Sequence, residues 1–243
     1  MGPISLPSAL QNALISTLPA SGYYIPNFIT ATEESLLLDK INTAPLPTWK
    51  QLSHRRLQAH PSVLTANNTL LDARLPTWLS NAVIPRMLSI PLYSGSPDNI
   101  FSNSPHGAPN HCLINEYLPG QGIQPHEDGG AYYPVVATVS LGSHIVLDVK
   151  PKDGISTGWR ILQEPRSLLI TTEDLYRETL HGISEVQIDE ELNDESVVNW
   201  DLLGDAEPFA GGKAFREKRV SLTFRDVIRV KRLGKAFGGL VRK

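Results

Sequence analysis

From residue 111 onward the chain breaks into short apolar, β-branched runs separated by turn residues, and that spacing narrows the folds open to it. Residues 112–117, 135–141, 145–149, 167–171 and 220–224 read as strands. Short strands at such intervals predict an all-β sandwich or barrel core. Ahead of them stand candidate helices, so the expected class is α+β. Thr30-Ala31-Thr32-Glu33 is a capping box, and its helix carries Leu37 and Ile41 on one face and stops before Pro45. Leu10, Leu14 and Leu18 recur at helical spacing and predict a short amphipathic helix over 7–18, followed by a turn at Ala20-Ser21-Gly22. Residues 23–25 and 49–52 read as strands. Pro76-Thr77-Trp78-Leu79 opens another helix, which Pro85 should kink or end. Residues 94–110 read as a surface loop and the acidic stretch 185–213 as a long flexible one.

With 243 residues, the simplest organisation is one domain over 1–243: helical segments in 1–110, the strand core in 111–230 and a basic tail in 231–243. Cys112 is the one cysteine, which excludes an intramolecular disulfide and a zinc site of several thiolates, and suits a reducing compartment. No apolar run approaches the ~20 residues of a membrane span, and the N-terminus lacks the basic start and apolar stretch of a secretory signal. The expectation is a monomer of the cytoplasm and nucleus with no membrane partner. Charge is unevenly spread. Residues 185–210 hold nine acids and no Lys or Arg, while 213–243 hold eleven Lys or Arg against two acids. Such a basic end either follows nucleic-acid phosphates or is simply solvated. The cluster His54-Arg55-Arg56 admits the same two readings.

Pro125-His126-Glu127-Asp128 follows an apolar run. On an extended segment, side chains at i and i+2 leave the same face, so His126 and Asp128 can reach one ion. His181 can supply a third ligand from a neighbouring strand. Two imidazoles and a carboxylate on one face of a metal leave open positions, as in non-haem Fe(II) oxygenases. The triad alone leaves a zinc hydrolase open.

Alternation along 219–225 sends Val220, Leu222 and Phe224 to one face and Arg219, Ser221, Thr223 and Arg225 to the other. Two arginines on an inner face are costly unless an anion meets them, and a dicarboxylate does so through bidentate pairing. Asn115 and Tyr117 share a face by the same count and offer an amide and a phenol. The plainer alternative is a sheet whose arginines face solvent.

Taken in order, Asn-x-Tyr (115–117), Gly-x-x-x-x-x-His-x-Asp (120–128), Ser-Leu-Gly (140–142), the distal His181 and Arg-x-x-x-Thr-Phe-Arg (219–225) resemble the AlkB family. The likeness is closest to a eukaryotic branch through residues 115–129, Tyr132-Tyr133-Pro134 and 140–144, and it extends to 49–53 and 56–58. It implies a double-stranded β-helix (jelly-roll) core with N-terminal helices packed on the sheet. It also implies an Fe(II)- and 2-oxoglutarate-dependent dioxygenase consuming O2. By position, His126, Asp128 and His181 become iron ligands, and Asn115, Tyr117, Arg219 and Arg225 become 2-oxoglutarate contacts. Ser221 departs from the pattern, standing where the bacterial founder has Asn.

The implied reaction converts 2-oxoglutarate to succinate while hydroxylating the substrate. On an N-methyl group this yields a hemiaminal that releases formaldehyde. The implied partner is alkylated DNA or RNA, its base extruded beneath a lid that includes residues 49–60, with Tyr132 and Tyr133 near the entrance. Two alternatives share the motifs: the same chemistry on a protein side chain, and a nucleic-acid-binding module with little turnover. His106, His111 and His144 show no metal-ligand spacing and read as structural. Cys112 reads as a buried core thiol.

Overall fold

The computed structural model describes residues 4, 6–18, 22–71 and 74–231. Its elements run β1 (Gly22–Ile25), α1 (Ala31–Asn42), β2 (Lys50–Gln51), β3 (Arg56–His60), β4 (Thr69–Leu71), α2 (Thr77–Leu88), β5 (His111–Tyr117) and β6 (Ile123–His126). They continue with β7 (Tyr132–Leu141), β8 (Ile145–Pro151), β9 (Trp159–Gln163), β10 (Leu168–Thr172), α3 (Glu173–Arg177) and β11 (Thr179–Ile183). The chain then adds β12 (Ile188–Glu190), β13 (Lys213–Phe215), β14 (Arg219–Val227) and β15 (Arg229–Lys231). No helix among the described residues is long and apolar enough to cross a membrane.

A seven-stranded antiparallel sheet in the order β1-β10-β7-β14-β5-β3-β2 faces a four-stranded sheet in the order β6-β11-β8-β9. The large sheet separates its side chains by strand periodicity. Ile114, Ala137, Val139, Leu222 and Phe224 turn outward and bury against Leu37 and Ile41 of α1 and Leu79, Val83 and Met87 of α2. The alternate residues turn toward the small sheet and line a cavity. This is the expected α+β jelly roll with its N-terminal helices on the sheet.

The helices hold that face in place by identifiable bonds. Thr30 Oγ1 accepts from the Glu33 amide at 3.1 Å and Glu33 accepts from the Thr30 amide at 2.8 Å, completing the capping box. Glu33 also accepts two hydrogen bonds from Arg86 of α2, at 2.7 and 3.0 Å, so the cap ties the helices together. Glu34 accepts from the amide of Gly142 at 2.8 Å, fastening α1 to the end of β7. Gly142 has φ +82°, and a Cβ there would lie 2.5 Å from the Lys218 carbonyl oxygen, which accounts for the glycine in Ser-Leu-Gly.

Two expectations are corrected and one is narrowed. Residues 7–18 form a single 3-10 turn, Leu10–Ala13, instead of an amphipathic helix. The amides of Leu10 and Gln11 donate to Pro91 and Leu92, and Leu14 bridges to Tyr23, so the segment's groups are committed outside it. Of the two outcomes expected at Pro85, a kink or an end, the end does not occur, since α2 continues to Leu88. Pro85 removes one donor near the helix end, while buried Val83 and Met87 anchor both sides of it. The acidic stretch 185–213 is packed. Leu192, Val197 and Phe209 bury against Val146 and Leu162, Asn199 makes two hydrogen bonds with the Leu162 backbone, and Asp189 pairs with Arg216 at 2.6 and 2.7 Å. Ala20, Ser21 and the tail beyond Lys231 lie outside the described residues.

Hydrogen bonding from Arg86 holds the Glu33 carboxyl below its ordinary value of 4.5. Because the folded value is the lower one, the stabilisation is full above the unfolded value and is lost as pH falls through the folded value. Glu33→Gln should therefore lower Tm at pH 7, by roughly 2–4 °C per kcal/mol lost. In melts at successive pH values the gap to the parent protein should close toward pH 3; a gap of constant size would contradict the pairing.

Candidate active site

The metal-ligand candidates come from the small sheet and the turn that follows β6. β6 and β11 pair so that His126 lies directly opposite His181, and their ring centroids are 4.5 Å apart. Gly182 permits this approach, since a Cβ there would come within 3.0 Å of the Ile123 oxygen and the Pro125 nitrogen. Asp128, two residues beyond His126, brings Oδ2 to 3.9 Å from His181 Nε2. One potential ligand atom from each of the three lies within 4.8 Å of the others, and no other trio of His, Cys, Asp or Glu among the described residues converges in this way.

The surroundings decide what these groups can offer. His126 Nδ1 lies 2.9 Å from the Gln124 carbonyl oxygen, a partner that can only accept, so Nδ1 is the donor there and Nε2 is the nitrogen left to face a metal. Burial pushes His181 down to about 4, against the opposing pull of Asp128, so its imidazole is neutral at pH 7. Arg225 donates to Asp128 Oδ1, which leaves Oδ2 on the side of the histidines. Its guanidinium also stacks 4.9 Å from the Tyr132 ring. Two imidazole nitrogens and one carboxylate oxygen with open space beside them fit an Fe(II) site.

That space is a cavity of about 290 Å³ between the sheets. All seven residues singled out by sequence line it: His126, Asp128 and His181 from the small-sheet side, Asn115 and Tyr117 from β5, and Arg219 and Arg225 from β14. Register explains the grouping, because Arg219 pairs with Tyr117, and Asn115 with Ser221, across β14 and β5. Arg219 is the most demanding member. It is 2% exposed, donates to Ser140 Oγ at 2.8 Å and Gln163 Oε1 at 3.2 Å, and leaves Nε without a partner. No carboxylate pairs with it among the described residues, and burial pulls its guanidinium down to about 10. A buried cation so placed fits an anionic co-substrate. Tyr117, its phenol raised by burial, stays a protonated donor beside it.

Other sequence candidates fall elsewhere. Arg56 is bound bidentately to Glu116 at 2.7 and 2.8 Å and stacks on Trp49, so it is a structural cation. Tyr132 lines the cavity, whereas Tyr133 packs against the helix-facing core. His106 lies 2.6 Å from buried Asp226, His111 faces the Ser62 carbonyl and His144 lies beside Asp189. Arg55 has a contact that sequence reasoning missed: read within a basic cluster that was either phosphate-contacting or solvated and part of the lid segment 49–60, it reaches the cavity and donates to Asn115 Oδ1 at 3.2 Å.

The unpaired charge of Arg219 makes a thermal prediction. 2-Oxoglutarate should raise Tm in a concentration-dependent manner, and Arg219→Gln should remove most of that rise. An undiminished rise in the variant would exclude Arg219 from the anion site.

With this geometry in hand, comparison with known proteins is specific. The 2OG-Fe(II) oxygenase superfamily pattern matches residues 22–225. The chain is 35% identical over 232 residues to the "Probable RNA/DNA demethylase ALKBH6" of Danio rerio, covering 91% of this chain and 92% of that protein. It is 31% identical over 208 residues to "Uncharacterized protein L905" of Acanthamoeba polyphaga mimivirus, covering 85% of each. Among solved structures, OsALKBH1 superposes with a TM-score of 0.57 at 14% identity, over 86% of this chain and 98% of that one, and thus shares the fold. A family match spanning nearly the whole sheet framework, together with a full-length relative, settles the assignment: the chain belongs to the 2OG-Fe(II) oxygenase superfamily, oxidoreductases that work with Fe(II), 2-oxoglutarate and O2.

Proposed function

We propose that this oxygenase demethylates alkylated nucleic acid, with His126, Asp128 and His181 holding the iron and Asn115, Tyr117, Arg219 and Arg225 binding 2-oxoglutarate. The observation that carries the site reading is the buried, unpaired Arg219 in the same cavity as the three convergent ligands. When bound, Fe(II) and 2-oxoglutarate supply the oxidant from O2 as the co-substrate is converted to succinate. The chain's own residues do the rest. Gln124 holds the His126 tautomer, Arg225 fixes which Asp128 oxygen faces the histidines, and Arg219 and Tyr117 receive a carboxylate. Val136, Leu147 and Leu169 line the same space with apolar surface and limit water.

Nucleic acid as the substrate is supported by the name of the Danio rerio relative and by the placement of charge. β15 begins just after Val227, which pairs with the cavity residue Tyr132, and it runs parallel to β4. Arg229 and Lys231 are exposed there, two residues apart and so on one face. Residues 228–243 hold six Lys or Arg and no acid. The acidic segment packs instead on β8 and β9 and pairs with Arg216, just before the Arg219 end of β14. A polyanion is thus drawn toward the Arg225 end of β14, beside which Asp128 lies.

The test is mass spectrometry of methylated DNA, RNA and peptide panels after incubation with Fe(II), ascorbate and 2-oxoglutarate. Loss of N-methyl groups from an oligonucleotide, with matching formaldehyde and succinate, is expected, and His126→Ala or Asp128→Ala should abolish it. Demethylation confined to peptides would overturn the substrate, and oligonucleotide binding without any turnover would overturn the activity. Binding should weaken with salt, and Arg229→Gln with Lys231→Gln should reduce the slope of log K against log [salt] by about one or two.

A further inference from the structure

The turn between β2 and β3 touches both sheets. It closes on itself through the Leu52 amide donating to the Arg55 carbonyl at 2.9 Å, and Gln51 Nε2 braces it by donating to Leu52 and Arg55 carbonyls at 2.8 and 3.2 Å. On one side His54 Nδ1 lies 3.3 Å from Glu185 Oε1, just beyond the end of β11 in the small sheet. On the other, Arg55 Nε donates at 3.2 Å to Asn115 Oδ1 of β5 in the large sheet. The turn therefore straps the two sheets together beside the cavity that both enclose, and Arg55 lines that cavity.

Two consequences follow for an anion in the cavity. A guanidinium has donors and no acceptor, so the Asn115 atom facing Arg55 must be the oxygen. The amide is thereby oriented, and its Nδ2 donors, which bond to no described residue, are left for another acceptor. Charge balance points the same way. Among the cavity's charged side chains, Arg225 pairs with Asp128 and Glu127 pairs with Lys152. Arg219 and Arg55 have no carboxylate partner among the described residues, and 2-oxoglutarate brings two negative charges.

Resting on the reading of this cavity as the 2-oxoglutarate site, which binding by the parent protein tests separately, we propose that Arg55 is a positioning residue for 2-oxoglutarate, turning the Asn115 amide toward the co-substrate and supplying a second uncompensated cation from a strap that joins the sheets. The test is calorimetric titration of the metal-free protein with 2-oxoglutarate. Arg55→Gln should weaken binding by roughly tenfold or more, the effect of losing a charged hydrogen-bond donor. Combining it with Asn115→Ala should cost clearly less than the sum of the two single losses, because the share that passes through the Arg55–Asn115 contact is lost only once. Arg55→Lys keeps a cation and a donor and should recover most of the affinity, which a packing defect in the turn would not allow. In turnover assays the rise in KM for 2-oxoglutarate should exceed any fall in kcat. Unchanged affinity in Arg55→Gln, or fully additive losses in the double variant, would overturn the proposal.

Discussion

Every part of this structure leans on the way β14 divides its side chains. The strand lies between β5 and β7 and is buried from end to end. Its outward residues, Val220, Leu222 and Phe224, are fully buried against the helical layer, while its inward ones place two guanidinium groups at opposite ends of one cavity. A shift of one residue in register would exchange the faces, burying the arginines in the apolar layer and turning the phenylalanine into the cavity. The packing of α1 and α2 thus enforces the register that aims Arg219 and Arg225 inward.

The two arginines are then handled differently. Arg225 is compensated within the protein by Asp128, the residue that also faces the histidines, so the proposed co-substrate and metal sites share a charged contact. Arg219 is held by neutral groups only, Ser140 and Gln163, and keeps an unpartnered Nε. Breaking or omitting one partner of a buried charge is costly, and a fold retains such a group where a ligand supplies the missing anion. Arg55 repeats the pattern from the strap at lower burial.

Much of this was legible in the sequence where alternation was strict. β5, β7, β8, β10 and β14 are long and apolar on at least one face, and each was expected. β6 and β11, which carry His126 and His181, were expected only as an extended segment and a neighbouring strand without bounds, because Ile-Gln-Pro-His and Thr-Leu-His-Gly-Ile contain proline, glycine and ligand residues that dilute the strand signal. The chemistry itself erased the pattern. Their partnership was nonetheless anticipated from His126, Asp128 and His181 as ligand types. Misreadings came from tertiary context. Leu10, Leu14 and Leu18 have helical spacing, yet the loop after α2 claims the amides a helix would need. The acidic stretch looked flexible because residues 185–210 hold nine acids and no Lys or Arg, but Leu192, Val197 and Phe209 suffice to pin it to the small sheet. Arg55 was hidden by its neighbours, since a contact to Asn115 sixty residues away leaves no local trace.

The central claim is that one cavity holds a metal on His126, Asp128 and His181 and a dicarboxylate on Arg219. A crystal structure of the protein with Mn(II) in place of iron and 2-oxoglutarate, under anaerobic conditions, tests it directly. The account predicts one anomalous peak bonded to those three side chains and a carboxylate of 2-oxoglutarate against the Arg219 guanidinium, with the amide of Asn115 beside the co-substrate. A metal bound elsewhere, or a dicarboxylate that leaves Arg219 unpaired, would contradict it.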